Sequence, residues 1–172
     1  MTNTLPKSRP SAPRLVDCLT AHTLVNLCFA ADVREPLEAQ GFGRVHHRLL
    51  FFVTQRPGIT VNQLIAVMRV SHQNLRGPMR QLIDQGYLLS EVGEDRRQKR
   101  TYTSAKGLAL IDRLSNAQFS RIQRAFTAAG PEAVKSFFHV HRLLMDTADV
   151  LWMEEATQLR AAQNRAGEGR AT

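Results

Sequence analysis

Between Arg96 and Arg100 the chain places four cations in five residues, Arg96, Arg97, Lys99 and Arg100. A loop built this way repels itself. A neighbouring polyanion removes the conflict, because each phosphate neutralised releases condensed counterion and an arginine can enter a narrow minor groove. A second group of the same kind lies upstream, where Ser71 is followed by His72, Gln73, Asn74, Arg76 and Arg80. These side chains can hydrogen-bond base edges or phosphates, with Gln and Asn suited to adenine and Arg to guanine. Each pattern also has a plainer reading: a solvated helix face for the first group's neighbour, and an edge-protecting charged hairpin for the cations.

Other constellations point less clearly to chemistry. His46-His47 and His139-x-His141 invite a metal reading. On a helix, however, His139 and His141 point about 200° apart, and no Cys or carboxylate completes a ligand set. No metal is expected. His141 reads as a hydrogen-bonded core residue in an apolar stripe, and His22, between Leu19 and Val25, as a core polar group or the lining of a ligand pocket. Cys18 and Cys28, if on one helix, lie about 15 Å apart along its axis, beyond the roughly 7 Å reach of an intramolecular bridge. They read as small hydrophobes, or as thiols that could bridge across a dimer. The chain has no Gly-rich phosphate loop, Gly-x-Ser-x-Gly or His-Glu-x-x-His motif, so neither covalent catalysis nor a cofactor is expected. A small enzyme working through His46, His47 or His141 remains as a competing reading.

Both groups of DNA-competent side chains need elements to carry them, and the apolar periodicity supplies these. Leu15, Leu19, Val25, Phe29 and Val33 mark a first helix from about Arg14 that bends or ends near Pro36 and is closed by Gly41 and Gly43. A second helix from Arg44 holds the run Leu49 to Val53 and stops at Arg56-Pro57-Gly58. Thr60-Val61-Asn62-Gln63 has the form of a capping box and starts a third helix, with Leu64, Ile65 and Met68 on its apolar face. After the short connection Arg69-Val70, Ser71 caps a fourth helix whose Leu75, Met79, Leu82 and Ile83 recur at intervals of three and four; Gly86 offers its left-handed stop.

Two strands, Tyr87 to Val92 and Lys99 to Thr103, flank the charged tip Gly93 to Gln98. Ser104 caps a further helix with an intermittent apolar stripe, which Gly130-Pro131 breaks. A last helix carries Val134, Phe137, Phe138, His141, Leu144, Met145, Ala148, Leu151 and Trp152. The order helix, helix, turn, helix, two-stranded hairpin is that of a winged helix-turn-helix, whose post-turn helix enters the major groove. One feature disturbs it: Gly77-Pro78 lies inside the reading helix, where a proline costs about 3 kcal/mol in an ordinary interior and predicts a kink.

The chain of 172 residues has room for one compact domain with helical extensions, and 43% hydrophobic residues can furnish a core. Its net charge of +8 favours a polyanionic partner, and the basic excess falls almost wholly before Gly107. Two cysteines without CxxC spacing suit a reducing compartment. Met1 to Pro13 lacks the apolar run of a signal peptide, and no stretch reads as transmembrane, so the expectation is a cytoplasmic protein without a membrane partner.

At this point the sequence resembles the MarR-type winged-helix transcriptional regulators. Asp95-Arg96-Arg97, followed by Thr103-Ser104-Ala105-Lys106-Gly107, is similar to that family's Asp-x-Arg and Leu-Thr-x-x-Gly wing pattern, with Ser104 in place of the Thr. Leu82 to Leu88 resembles its exit from the recognition helix, and Pro57-Gly58-Ile59-Thr60 its approach to the preceding one. The resemblance implies a homodimer with interlocked first and last helices, a pseudo-palindromic double-stranded DNA operator, and a small, often aromatic, effector. It implies that Arg97 contacts DNA and that Asp95 steadies the wing.

The expected fold is therefore mostly α with a small two-stranded β wing. Residues 1–13 form a flexible segment, 14–43 an N-terminal dimerisation region, 44–106 the winged DNA-binding lobe, 107–160 C-terminal dimerisation helices and 161–172 a flexible tail. The expected function is a homodimeric regulator, in the first place a repressor. The competing reading from another class is a protein-interaction or non-specific DNA-binding module that keeps the fold without operator reading.

Overall fold

A computed structural model describes residues 14–93 and 99–168. The order is α1 (Leu15–Asp32), α2 (Arg34–Glu38), α3 (Arg44–Gln55), β1 (Ile59–Thr60), α4 (Val61–Met68), α5 (His72–Asp84), β2 (Leu88–Val92), β3 (Lys99–Thr103), α6 (Ala105–Ala129), α7 (Pro131–Leu144) and α8 (Thr147–Glu168). The architecture is mostly helical with one small antiparallel sheet, that of a winged helix-turn-helix.

The core gathers where the short helices meet the sheet. Leu49, Leu50 and Val53 of α3, Leu64 and Met68 of α4, Leu75 and Leu82 of α5, and Leu88 of β2 are all buried. Removing their apolar surface from water, at about 25 cal/mol per Å², is what holds α4 and α5 at a fixed angle. Leu110, Ile111 and Leu114 extend this core along the first half of α6. Beyond them the chain buries little: α1 and α7 contain no buried residue.

Local chemistry sets the helix ends as the spacing predicts. The Thr60 hydroxyl accepts from the Gln63 amide at 3.4 Å while the Gln63 side chain accepts from the Thr60 amide at 2.9 Å, completing the capping box. Ser71 and Ser104 cap α5 and α6 by accepting from Asn74 and Gly107 amides at 3.2 and 3.0 Å. Gly86, at φ +76°, takes the left-handed position after α5. Gly107 answers a different need. A Cβ there would stand 2.2 Å from the Tyr87 carbonyl oxygen and 2.7 Å from Thr103 Cγ2, so only glycine lets α6 start this close to the sheet.

Several expectations need correction. The sheet has three strands in the order β1-β3-β2, because Ile59 and Thr60 pair with Thr101 and Arg100; a two-residue strand leaves no alternation to read. The first helix breaks at Val33, not Pro36. Pro36 instead sits in the first turn of α2, where its missing amide has no intrahelical acceptor to lose. The last helix divides at Met145, whose ψ of 148° is extended. Apolar spacing continues unchanged across that break, and the Asp149 amide bonds the Asp146 carbonyl at 2.9 Å to begin α8. Helix α8 then runs to Glu168.

Burial corrects two further readings, and length with hydropathy a third. His22 is exposed on α1, and His141 is half-buried, its Nδ1 2.8 Å from the Phe137 carbonyl, so neither lies in a core formed by this chain. Leu15–Asp32, 18 residues with mean hydropathy 1.2, is long and apolar enough by length and composition to cross a membrane, contrary to the expectation that no stretch qualifies. A helix apolar on all sides requires cover from outside its own lobe.

Candidate nucleic-acid interface

Helix α5 sorts its residues by face. Leu75, Met79 and Leu82 point into the core, while His72, Gln73, Asn74, Arg76 and Arg80 are exposed. This is the arrangement a groove-reading helix needs: apolar spacing fixes its rotation, and the polar residues of its first two turns are left outside. Ser71 is also exposed, but its hydroxyl is engaged as the cap. Arg80 folds back to Asp84 at 3.3 Å, which partly neutralises its charge. Arg76 has no such partner among the described residues. An open groove of about 480 Å³ runs along this helix, its apolar floor including Leu75, Met79 and Ile83.

Pro78 does not end the helix, which runs unbroken from His72 to Asp84. Two neighbours explain the tolerance. A proline ring clashes with the Cβ of the preceding residue in the α region, and that residue is Gly77, which has no Cβ. The carbonyl left unpartnered by the missing amide belongs to Asn74, which is exposed and can bond to water.

The second half of α5 is fastened to α3. The Gly43 amide donates to His46 Nδ1 at 3.0 Å, which leaves His46 Nε2 to donate to Gln81 Oε1 at 2.9 Å. Gln81 Nε2 in turn donates to the Gly41 carbonyl at 3.3 Å. His46 thus caps one helix and steadies another, a structural task that fully occupies its ring. At the exit of α5, Lys106 Nζ donates to the Gln85 carbonyl at 2.9 Å and lies 4.2 Å from the centre of the Tyr87 ring. These contacts fix α5 against both the arm that precedes it and the sheet that follows.

Of the expected wing contacts, Lys99 and Arg100 are exposed at the start of β3. They lie opposite Val92 and Glu91, and Arg100 also lies opposite Thr60. The base of the wing is therefore tied to the start of α4. Asp95, Arg96 and Arg97 lie outside the described residues.

The remaining candidates have other surroundings. His47 is largely enclosed, and burial pushes its pKa below the ordinary imidazole value. Among the described residues no group of three or more His, Cys, Asp or Glu could hold a metal ion. Cys18 and Cys28 are free and exposed. One residue escaped the sequence reading altogether. Arg69, in the short connection before Ser71, adopts φ +51° and reaches Asp146 and Asp149 at 2.8 and 2.6 Å. The available signal was a non-glycine residue at a position that closes one helix two residues before the cap of the next.

Comparison with known proteins bears on the same region. The family model described as MarR family matches residues 40–98. The HTH-type transcriptional regulator PetP of Rhodobacter capsulatus is 41% identical over 121 residues, covering 70% of this chain and 73% of that protein. Among solved structures, a MarR family transcriptional regulator from Silicibacter pomeroyi superposes with a TM-score of 0.66 at 21% identity, covering 74% of this chain and 86% of that one. A mutant of MepR from S. aureus bound to an oligodeoxyribonucleotide gives a TM-score of 0.50 at 14% identity, covering 78% and 95%.

Proposed function

This chain belongs to the MarR family of helix-turn-helix transcriptional regulators, which are not enzymes, and we propose that it is a cytoplasmic homodimeric repressor reading a pseudo-palindromic DNA operator. The observation that carries this reading is α5. Its Ser71 cap and buried Leu75 and Met79 turn His72, Gln73, Asn74 and Arg76 outward together. Arg76 and Arg80 anchor the helix on the duplex. Arg96, Arg97, Lys99 and Arg100 make the wing contact, with Asp95 as its support. The oligonucleotide bound to the MepR mutant lends support through the shared fold.

Residues 44–106 then form the DNA-binding lobe, and 14–43 with 107–160 the dimerisation part. The lack of any buried residue in α1 and α7 supports this division, since a second copy would cover both and place two lobes on two half-sites. A small aromatic effector would act by binding the DNA-competent and incompetent forms unequally. His22 is a candidate for its site in the dimer.

Duplexes selected by the full chain from a random pool, with and without simple aromatic acids, test the function. Enrichment of an inverted repeat supports it. Equal binding to selected and random duplexes would instead favour a winged-helix module without operator reading, the alternative that Pro78 raises.

A further inference from the structure

Between Asp149 and Arg160, helix α8 is fastened to α3 and to the end of α4 of its own chain. Arg160 hydrogen-bonds Gln55. Glu155 pairs with Arg56 at 2.8 Å, and Trp152 packs edge-on against Phe52 at 5.1 Å between ring centres. At the start of α8 the fastening passes to Arg69. Its Nη1 and Nη2 donate to the two carboxylate oxygens of Asp149 at 3.2 and 2.6 Å, and Nη2 also donates to Asp146 at 2.8 Å.

Two features show that this clamp differs from an ordinary surface ion pair. Arg69 is the only non-glycine with positive φ among the described residues, a conformation that persists in such a residue only where its surroundings hold it. The seam beside the clamp is also incompletely filled. A half-open groove of about 230 Å³ lies between α4 and the start of α8, lined in part by Val67, Ala148 and Trp152. At this end the contacts of Arg69 with Asp146 and Asp149 join α8 to the end of α4. The pairing holds the Asp149 carboxyl below the usual carboxylate range, the hydrogen bond from Arg69 being the main cause.

We propose that Arg69 is a positioning residue for DNA reading: by clamping Asp146 and Asp149 it lets α8 set the orientation of the first turn of α5. The path is short. Arg69 is two residues from Ser71, the cap of α5, so a shift of α8 reaches the base-reading side chains through Val70 alone. This inference rests on α5 being the DNA-reading helix. It differs from a phosphate-contact role for Arg69, because the guanidinium is turned to two carboxylates of its own chain.

Asp149→Asn distinguishes these roles. Freed from its carboxylate, an Arg69 that served phosphate would bind DNA as well or better. A positioning Arg69 would lose roughly fivefold or more in affinity for duplexes selected by the parent, with binding to random duplex and the unfolding midpoint little changed. Asp149→Glu, which keeps the charge, should restore most of the loss. Trp152, the only tryptophan in the chain, supplies a signature independent of DNA: its emission should shift to the red in Asp149→Asn and return in Asp149→Glu. Unchanged emission, or selected-duplex affinity equal to or above the parent's, overturns the proposal. A parent that selects no duplex would sink the DNA reading instead, and the emission of the two variants would then still decide whether the clamp holds α8.

Discussion

Single residues of this chain divide by whether their type or their surroundings determine what they do. The caps Thr60, Ser71 and Ser104 were legible because a hydroxyl at a fixed offset from a free amide has one local use. His46 was not, since one of its hydrogen bonds is to nearby Gly43 and the other reaches Gln81, 35 residues beyond His46 itself. Gly107 lies between these cases: the family pattern marked it, and the 2.2 Å approach of a would-be Cβ to the Tyr87 carbonyl supplies the reason. Gly107→Ala should lower stability by about 1–3 kcal/mol through overpacking, despite alanine's better helix propensity, and urea unfolding will measure it. Arg97→Ala should weaken binding to every duplex and reduce the slope of log affinity against log salt by about one. Titrations at two salt concentrations that match the parent would remove Arg97 from the wing contact.

Elements were recovered from spacing wherever one lobe supplied both sides of the packing. Helices α3, α4 and α5 bury a clear stripe against each other, so their periodicity carries their boundaries. The two-residue strand β1 and the division between α7 and α8 were missed, because neither changes the apolar rhythm of the sequence. Helix α5 tests how far local preference can be overridden. Pro78 costs α5 a hydrogen bond, Gly77 relieves the steric part, and tertiary burial of Leu75, Met79 and Leu82 holds the rest. Pro78→Ala should therefore raise stability by up to about 3 kcal/mol, read as a higher unfolding midpoint. If the proline shapes the fit to DNA, the same variant will also select different duplexes. A stabilised protein with unchanged selection would make Pro78 a tolerated defect.

At the scale of the whole molecule, the candidate site and the lobe that holds it were readable from one chain, whereas the arms were readable only as amphipathic or apolar helices in need of a partner. Leu143 and Leu144 are 73% and 74% exposed, as the proposed dimer requires of residues at its interface. Leu143→Glu should give a monomer by sedimentation and lose operator binding, since one lobe reaches only one half-site; a dimer that binds DNA normally would place the interface elsewhere. Helix α1 carries the matter further. Its end is tied to α6 by Asp32 on Arg121 at 2.5 and 2.6 Å and by the Phe29 carbonyl accepting from Gln118, yet none of its residues is buried by its own chain. If a second copy supplies the cover, completing the tertiary structure is a bimolecular event. The fraction of competent regulator then falls more steeply than the amount of protein as a cell dilutes it through growth, giving the response a threshold that a self-contained lobe would lack.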